Sequence, residues 1–280
     1  MLSPTGTRLE VWGDPVAHSR SPQLHAAAYR VLGLGWNYAR RRVSEADFAA
    51  ELAGLSADWR GLSLTMPLKS VAFQAASSRD RRAELTGAVN TLLLSADGAR
   101  GFNTDIGGIV RALEEQGIET VREARIVGAG ATAMSALVAL SELGAERVQI
   151  VARRAAAVQP LVDLGASLGV HVVGVPWDES GHAAVPVTIA TLPGDARVAD
   201  AAADALAAHG GLLLDVVYGH WPTALAAAWA RAGQPAVSGL GMLLHQALLQ
   251  VRVFVTGDAD IPLEHEAAVL AEMRLAVVGD

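Results

Sequence analysis

Between residues 120 and 220 short β-branched and leucine-rich runs alternate with alanine- and leucine-rich stretches at helical spacing. The runs at 124–127, 147–151, 171–175, 188–191 and 212–217 read as strands, and their alternation with helical segments is the pattern of βαβ units and a parallel sheet. A helix is predicted over 131–143 with Gly144 as its stop, and the alanine-rich 199–208 reads as a surface helix. The first hundred residues alternate as well: strand 8–12, helix 22–32, strand 37–43, helix 45–55 and strand 62–65. Pro67 then stands where proline is tolerated at a helix start, which places Lys69 in the first turn, just past the end of a strand. Strands 90–94 and 99–102 turn at Ala96-Asp97-Gly98 and deliver Asn103-Thr104-Asp105 to the next helix. After Gly239 the pattern is helical, over 242–250 and 261–278, and these helices are expected to return to the first unit. The expected architecture is α/β in two domains, 1–105 plus 239–280 and an inserted doubly wound unit over 106–238.

Composition narrows the function. A chain of 280 residues with 51% apolar and 18% charged positions fits roughly two folded domains. Twenty-two basic against 29 acidic residues give a net charge of -7, with no basic block longer than Arg40-Arg41-Arg42. That balance argues against nucleic acid or an anionic membrane as partner, so a small molecule is expected. Cysteine is absent, which excludes disulfides, thiolate metal sites and a cysteine nucleophile, and points to the cytoplasm. The start Met1-Leu2-Ser3-Pro4 lacks a basic, apolar leader, and charge-free stretches such as 126–141 are broken by glycine, so no membrane segment is expected.

Of the 22 basic residues 21 are arginine, and the one lysine, Lys69, lies in Gly61-Leu62-Ser63-Leu64-Thr65-Met66-Pro67-Leu68-Lys69. An ammonium surrenders a proton far more readily than a guanidinium, so Lys69 is a candidate for proton transfer. Asp105 ends a second polar stretch at a strand-to-helix junction and is the carboxylate that would orient it, the two forming an acid/base pair.

Gly128-Ala129-Gly130-Ala131-Thr132-Ala133 follows a strand and opens a helix, as in the G-x-G-x-x-A dinucleotide fingerprint. Gly128 permits the tight turn, Gly130 lets backbone approach a pyrophosphate, and Ala133 allows close helix packing. At the end of the next strand, where an acidic residue would hold the ribose of NAD, stand Arg153 and Arg154. Guanidinium groups there favour the 2′-phosphate of NADP. Nearer the amino terminus Ser19 and Ser21 precede the helix beginning at Pro22 and suit a carboxylate ligand, or one of them caps that helix. His18 and His25 have no ligand partner at useful spacing, and no metal is expected.

Taken together these segments resemble the shikimate dehydrogenase family, including its quinate-using relatives, over nearly the whole chain. The resemblance rests on 13–25, 61–69, Gly87-Ala88-Val89-Asn90-Thr91, Gly101-Phe102-Asn103-Thr104-Asp105, the Gly128 fingerprint, Asp215-Val216-Val217-Tyr218 with Thr223, and 239–246. It implies NADP-dependent, reversible reduction of 3-dehydroshikimate to shikimate in aromatic amino-acid biosynthesis, by a Rossmann-type NADP domain inserted into a split catalytic domain. By the same resemblance Ser19, Ser21 and Tyr218 hold the substrate carboxylate, and Thr65, Asn90, Asp105 and Gln246 its ring hydroxyls. Lys69 handles the proton, while Ala129, Ala131, Thr132, Thr191, Gly239 and Met242 join the cofactor contacts. Five positions depart from the family pattern: Ser63 and Ile189 replace asparagines, Ala131 a glycine, Ala152 an asparagine and His220 a proline. The alternatives are a paralogue acting on quinate or an amino analogue, NAD-linked, and a non-catalytic nicotinamide-binding regulator. Either a monomer or a homodimer is compatible with the chain.

Overall fold

The computed structural model describes residues 5–177, 182–219 and 221–278. They form two compact units, Met1–Gly108 with Leu244–Asp280, and Ile109–Leu243. The first unit opens with β1 (Thr5–Gly13), α1 (Ser21–Val31), β2 (Gly35–Arg42), α2 (Phe48–Ala53), β3 (Trp59–Leu64) and α3 (Lys69–Ala75). It continues through β4 (Ser78–Arg79), α4 (Arg81–Thr86), β5 (Thr91–Ser95), β6 (Gly98–Phe102) and the start of α5 (Asp105–Glu114). Its six strands lie in the order β2-β1-β3-β5-β6-β4. Strand β1 is parallel to both β2 and β3, whereas β3, β5 and β6 run antiparallel, so one edge of the sheet is a βαβ array and the middle a meander.

The second unit comprises β7 (Glu123–Val127), α6 (Ala131–Glu142), β8 (Arg147–Val151), a 3-10 turn at Ala155–Val158, α7 (Gln159–Leu168) and β9 (His171–Val175). Then come β10 (Val187–Ala190), α8 (Asp200–Ala207), β11 (Leu212–Asp215), α9 (Ala224–Arg231) and β12 (Ala236–Ser238). All its strands are parallel, in the order β12-β11-β10-β7-β8-β9. Numbered within the unit this is the doubly wound 3-2-1-4-5-6 arrangement, in which the order reverses between β7 and β10 and ligands bind past the carboxyl ends of those strands. Strands β10 and β11 are buried along their whole length, and their polar residues, Thr188 and Asp215, are both hydrogen-bonded.

Two long helices, α10 (Leu240–Thr256) and α11 (Glu266–Val278), complete the first unit. Three arginines fasten them. Arg20 donates to the Val277 carbonyl (2.7 Å), Arg60 to that of Phe254 (2.7 Å) and Arg100 to that of Gly257 (3.2 Å). Helix carboxyl ends present unpaired carbonyls and partial negative charge, so these are the places where a guanidinium is most useful. Arg252 Nε reaches Glu266 Oε2 at 2.6 Å and ties the two helices to each other. In the second unit the fully buried Arg125 plays a similar part, donating to the carbonyls of Leu206 (3.2 Å) and Ala183 (2.7 Å). Burial lowers its pKa to about 10, which leaves it charged at neutral pH.

Where the elements depart from the sequence-based expectation, local polar contacts explain the difference. The helix expected over 45–55 begins only at Phe48, because the Ser44 hydroxyl bonds Asp47 Oδ2 (2.6 Å) and accepts the Asp47 N–H (3.3 Å) in a turn of its own. The strand expected to reach 217 stops at Asp215, whose carboxylate accepts the Val217 N–H (3.2 Å) and the Thr223 hydroxyl (2.7 Å). The last helix starts at Glu266 and not at 261. His265 adopts φ 55° and Glu266 accepts the Leu263 N–H, which wraps 261–265 outside the helix. Helices α4, α7 and α9 and strands β4 and β12 had no expectation behind them. Among the described residues no helix is long and apolar enough to cross a membrane.

The first unit's core gathers Trp12, Phe48, Leu62, Leu64, Leu68, Val89 and Leu92. Gly61 marks its tightest point, since a Cβ there would lie 2.5 Å from both the Leu92 carbonyl and Phe254 Cε1. Gly61→Ala is therefore expected to cost about 1–3 kcal/mol through overpacking. Gly54→Ala, where the nearest atom to a new Cβ is 3.5 Å away and φ is -80°, is expected to be neutral or mildly stabilising. Thermal denaturation of the two variants beside the parent checks the contrast.

Candidate active site

Lys69 and Asp105 come together at the end of β3. The chain leaves that strand through Thr65, whose N–H bonds the Trp12 carbonyl (2.9 Å), while the Asp14 N–H bonds the Met66 carbonyl (3.0 Å). The crossing is close enough that a Cβ at Gly13 would collide with Thr65 Cγ2, which explains the glycine. Leu68 N–H closes a turn on the Thr65 carbonyl (2.9 Å), and α3 starts at Lys69 itself. The Lys69 carbonyl accepts the Val89 N–H (3.0 Å), so the ammonium-bearing residue is anchored to the segment that carries Asn90.

The Lys69 ammonium donates to Asp105 Oδ2, the two side chains being 19% and 8% exposed. The other carboxylate oxygen accepts Asn90 Nδ2 (2.8 Å), and the Asp105 N–H is taken by Asn103 Oδ1 (3.2 Å). Asn90 in turn accepts at Oδ1 from the Thr104 N–H (2.9 Å) and the Thr91 hydroxyl (2.8 Å). A carboxylate fixed at both oxygens orients the ammonium, and an ammonium carries three donors, of which Asp105 takes one. The cluster is thus equipped to hold an oxygen-rich ligand and to move a proton to or from it.

Ser19 and Ser21 sit at the start of α1, where the residue before the helix, Arg20, makes no side-chain cap. The Ser19 hydroxyl accepts the Ser21 N–H (3.3 Å), and Ser21 is buried. Gln246 is buried on α10, and Thr65 is half-buried. The same unit holds a buried polar cluster for which there was no expectation. His25 stacks on Tyr38 with ring centroids 3.9 Å apart and bonds Tyr29 through Nδ1 (3.1 Å) and Gln250 through Nε2 (3.2 Å). Burial lowers the His25 pKa to about 3, against a weaker upward pull from Gln250, and keeps the ring neutral. Its structural reading thereby gains a physical basis. The Tyr38 hydroxyl is pushed up by burial first, with the Ser63 and Ser21 hydroxyls beside it acting the other way.

In the second unit Gly128 has φ 121°, and a Cβ on it would collide with Thr191 Oγ1, so no other residue fits that turn. Thr191 fastens the turn from β10 by donating its N–H (2.8 Å) and hydroxyl (3.2 Å) to the Val127 carbonyl. A Cβ at Gly130 would meet nothing within 4 Å, so the space before α6 lies open to its backbone. Helix α6 begins at Ala131, with Thr132 in its first turn and the fully buried Ala133 packed inward, and its first N–H groups face that space. Arg153 borders a cavity of about 390 Å³ with Trp177, Asp195, Arg197 and the segment 192–198. Arg154 is exposed and is not among the residues that line it. Two guanidiniums and an indole in one cavity fit a phosphorylated adenosine, and with the glycine turn they fit NADP. Arg197 and Trp177 were missed because both lie in loops outside the fingerprint, where a lone arginine and a lone tryptophan give no periodic signal. Gly239 packs against the Val216 backbone, which a Cβ would overlap, Met242 is buried at the start of α10, and Tyr218 is half-buried. Asp215 holds the turn before Tyr218 by accepting the Val217 N–H and the Thr223 hydroxyl, and burial raises its pKa against the downward pull of those two bonds. His220 lies outside the described residues.

A doubly wound nucleotide unit and a unit bearing a Lys–Asp–Asn cluster, carried on one chain, define a nicotinamide-type oxidoreductase architecture. Residues 11–92 match the shikimate dehydrogenase substrate binding domain. The shikimate dehydrogenase (NADP(+)) of Methylobacterium radiotolerans is 34% identical over 273 residues, 88% of this chain and 90% of that protein. The crystal structure of Mycobacterium tuberculosis shikimate dehydrogenase shares 41% identity and superposes with a TM-score of 0.84, covering 95% of this chain and 98% of that one. The Thermus thermophilus enzyme, solved with NADP(H) and shikimate, is 27% identical with a TM-score of 0.78, over 97% and 100% of the two chains. The chain belongs to the shikimate dehydrogenase family.

The neutral, buried His25 has a consequence for acid stability. Its folded pKa of about 3 lies below the unfolded 6.5, so between those values the unfolded state binds the extra proton. Stability is then expected to fall on acidification below about pH 6.5, with a limiting slope of about 1.4 kcal/mol per pH unit. His25→Asn removes the titrating group, and a flatter dependence of unfolding free energy on pH in that variant is the expected result.

Proposed function

We propose that the protein is an NADP-dependent shikimate dehydrogenase, reducing 3-dehydroshikimate to shikimate and running the reverse oxidation in vitro. The observation that carries this is the Lys69–Asp105–Asn90 cluster, a proton-transfer group held by a hydroxyl-binding frame at a strand end. Family membership and the relatives' NADP(+) names support it. Bound NADPH supplies a hydride to the carbonyl carbon. Lys69 delivers the matching proton to the carbonyl oxygen, so that C=O becomes CH–OH, and in the oxidation it takes that proton back. Asp105 keeps the ammonium aimed at the oxygen and, with Asn90, Thr65 and Gln246, receives the ring hydroxyls. Ser19 and Ser21 donate to the carboxylate from the start of α1, Ser19 keeping its hydroxyl hydrogen while its oxygen accepts the Ser21 N–H.

On the cofactor side the first turn of α6, from Ala129 and Gly130 to Ala133, meets the pyrophosphate. Arg153 pairs with the 2′-phosphate from one wall of its cavity and Arg197 from the same cavity, with Arg154 contributing charge from the surface and Trp177 an aromatic face for adenine. Thr191, Tyr218, Gly239 and Met242 keep the ligand-contact roles expected of them. In this reading the protein works in the cytoplasm as a monomer or homodimer, in aromatic amino-acid biosynthesis, with no macromolecular partner.

The test is shikimate oxidation followed by nicotinamide absorbance with NADP and with NAD, repeated with quinate. Turnover of shikimate with NADP is expected, whereas turnover confined to quinate or to NAD would overturn the substrate or cofactor assignment. Lys69→Ala should lower kcat by about 10²–10⁴-fold with a far smaller change in KM, because the group acts chiefly in the transition state. Arg153→Ala and Arg197→Ala should each weaken NADP binding about tenfold while leaving NAD binding nearly unchanged, as calorimetric titration would show.

A further inference from the structure

Behind the Lys69–Asp105 pair runs a continuous buried chain of hydrogen bonds whose centre, Gln250, has no part in the roles assigned above. Gln250 sits on α10, one helical turn beyond Gln246, and is 2% exposed. Its Nε2 donates to the Asn90 carbonyl (3.3 Å), and its Oε1 accepts from the Ser63 hydroxyl (2.7 Å) and from His25 Nε2 (3.2 Å). The donor to Asn90 orients the amide, so Oε1 is the acceptor and His25 must carry its hydrogen on Nε2. His25 Nδ1 then accepts from the Tyr29 hydroxyl (3.1 Å). One side chain therefore joins α1, β3, α10 and the segment leading into β5, and the residue it holds on that segment is the one that grips Asp105.

We infer that Gln250 is a positioning residue for the reaction. It fixes the Asn90 backbone, and through Asn90 Nδ2 it sets where Asp105 holds the Lys69 ammonium. The inference rests on the dehydrogenase reading given above. The Ser63 hydroxyl, on β3, holds the Gln250 oxygen, while the Gln250 amide nitrogen reaches the Asn90 carbonyl from α10. The same amide touches His25, four residues along α1 from Ser21, so the carboxylate-binding end and the proton-transfer end of the ligand site share one fixed point. A shift of the order of 1 Å in such a frame is enough to lower a rate strongly without altering ligand chemistry.

The deciding experiment uses the full chain and Gln250→Met, which keeps the volume and removes every hydrogen bond of the amide. Steady-state shikimate oxidation is measured across pH, together with thermal denaturation and calorimetric NADP binding. A folded variant with unchanged NADP affinity, kcat lowered about tenfold or more, and a displaced pH profile supports the inference. A folded variant whose kcat, KM and pH profile match the parent overturns it, even if its melting temperature drops, because a purely structural glutamine would give that pattern. Should Gln250→Met fail to fold, Ser63→Ala, which removes the hydroxyl that holds the Gln250 amide, decides: a folded variant with lowered kcat and a displaced pH profile supports the inference, and one that matches the parent in kcat, KM and pH profile overturns it. Failure of the parent itself to oxidise shikimate would strike the dehydrogenase reading and not the positioning role, so the two failures are separable.

Discussion

The buried amide of Asn90 is the constraint on which the rest of the first unit's site depends. It is 1% exposed, and each of its polar groups has a partner: the Phe102 carbonyl for its N–H, the Leu64 N–H for its carbonyl, and Thr91, Thr104 and Asp105 for its side chain. A buried polar group left unpaired costs about 1–3 kcal/mol, so a residue paired on every side has little freedom to move. Two strands, β3 and β6, and the start of α5 are therefore referenced to one point. Asp105 inherits its position from that point, and Lys69 inherits its own from Asp105 and from the bond between its carbonyl and Val89.

The nucleotide unit solves a different problem with different means. A phosphate ligand asks for backbone N–H groups and empty space, and these are supplied by glycine at two positions with distinct reasons. Gly128 is dictated by backbone conformation and by Thr191, which stands where a Cβ would go. Gly130 is free of such contact, and its lack of a side chain keeps the approach to α6 clear. Charge then comes from outside the strand-turn-helix element, with Arg153 on one side of the cavity and Arg197 on a loop after β10. On a chain whose overall charge is -7, this cavity thus gathers two guanidiniums beside one carboxylate, Asp195.

Much of this could be read from the residues, and what could not follows a physical rule. Strands at 147–151 and 171–175 were legible to the residue because each is a short run rich in valine and isoleucine set between segments of helical spacing. Boundaries failed where a side chain captured a backbone group, as Asp215 and Ser44 do, because propensity does not encode such captures. Short elements such as β4 and β12 have too few residues for a period to show. Within the site, residues near a strand end or a glycine turn announced themselves by position. Gln250, Arg197 and Trp177 did not, since each reaches its place through tertiary packing and a lone glutamine on an apolar helix looks like any other.

The relation between Ser63 and Gln250 shows how a departure from a family pattern should be weighed. Taken alone, serine for asparagine beside the proton-transfer strand reads as a loss, since a hydroxyl reaches less far and offers one donor where an amide offers two. In the folded chain the serine hydroxyl donates to Gln250 Oε1, and the Gln250 amide donates to the Asn90 carbonyl from α10. Ser63 is thus half of a pair whose other half lies 187 residues away. Its effect depends on α10 staying seated, which in turn draws on Arg60 and Arg100 at that helix's carboxyl end. The helices from the far end of the chain thus complete the hydrogen-bonded frame around Asn90 as well as the core of the first unit.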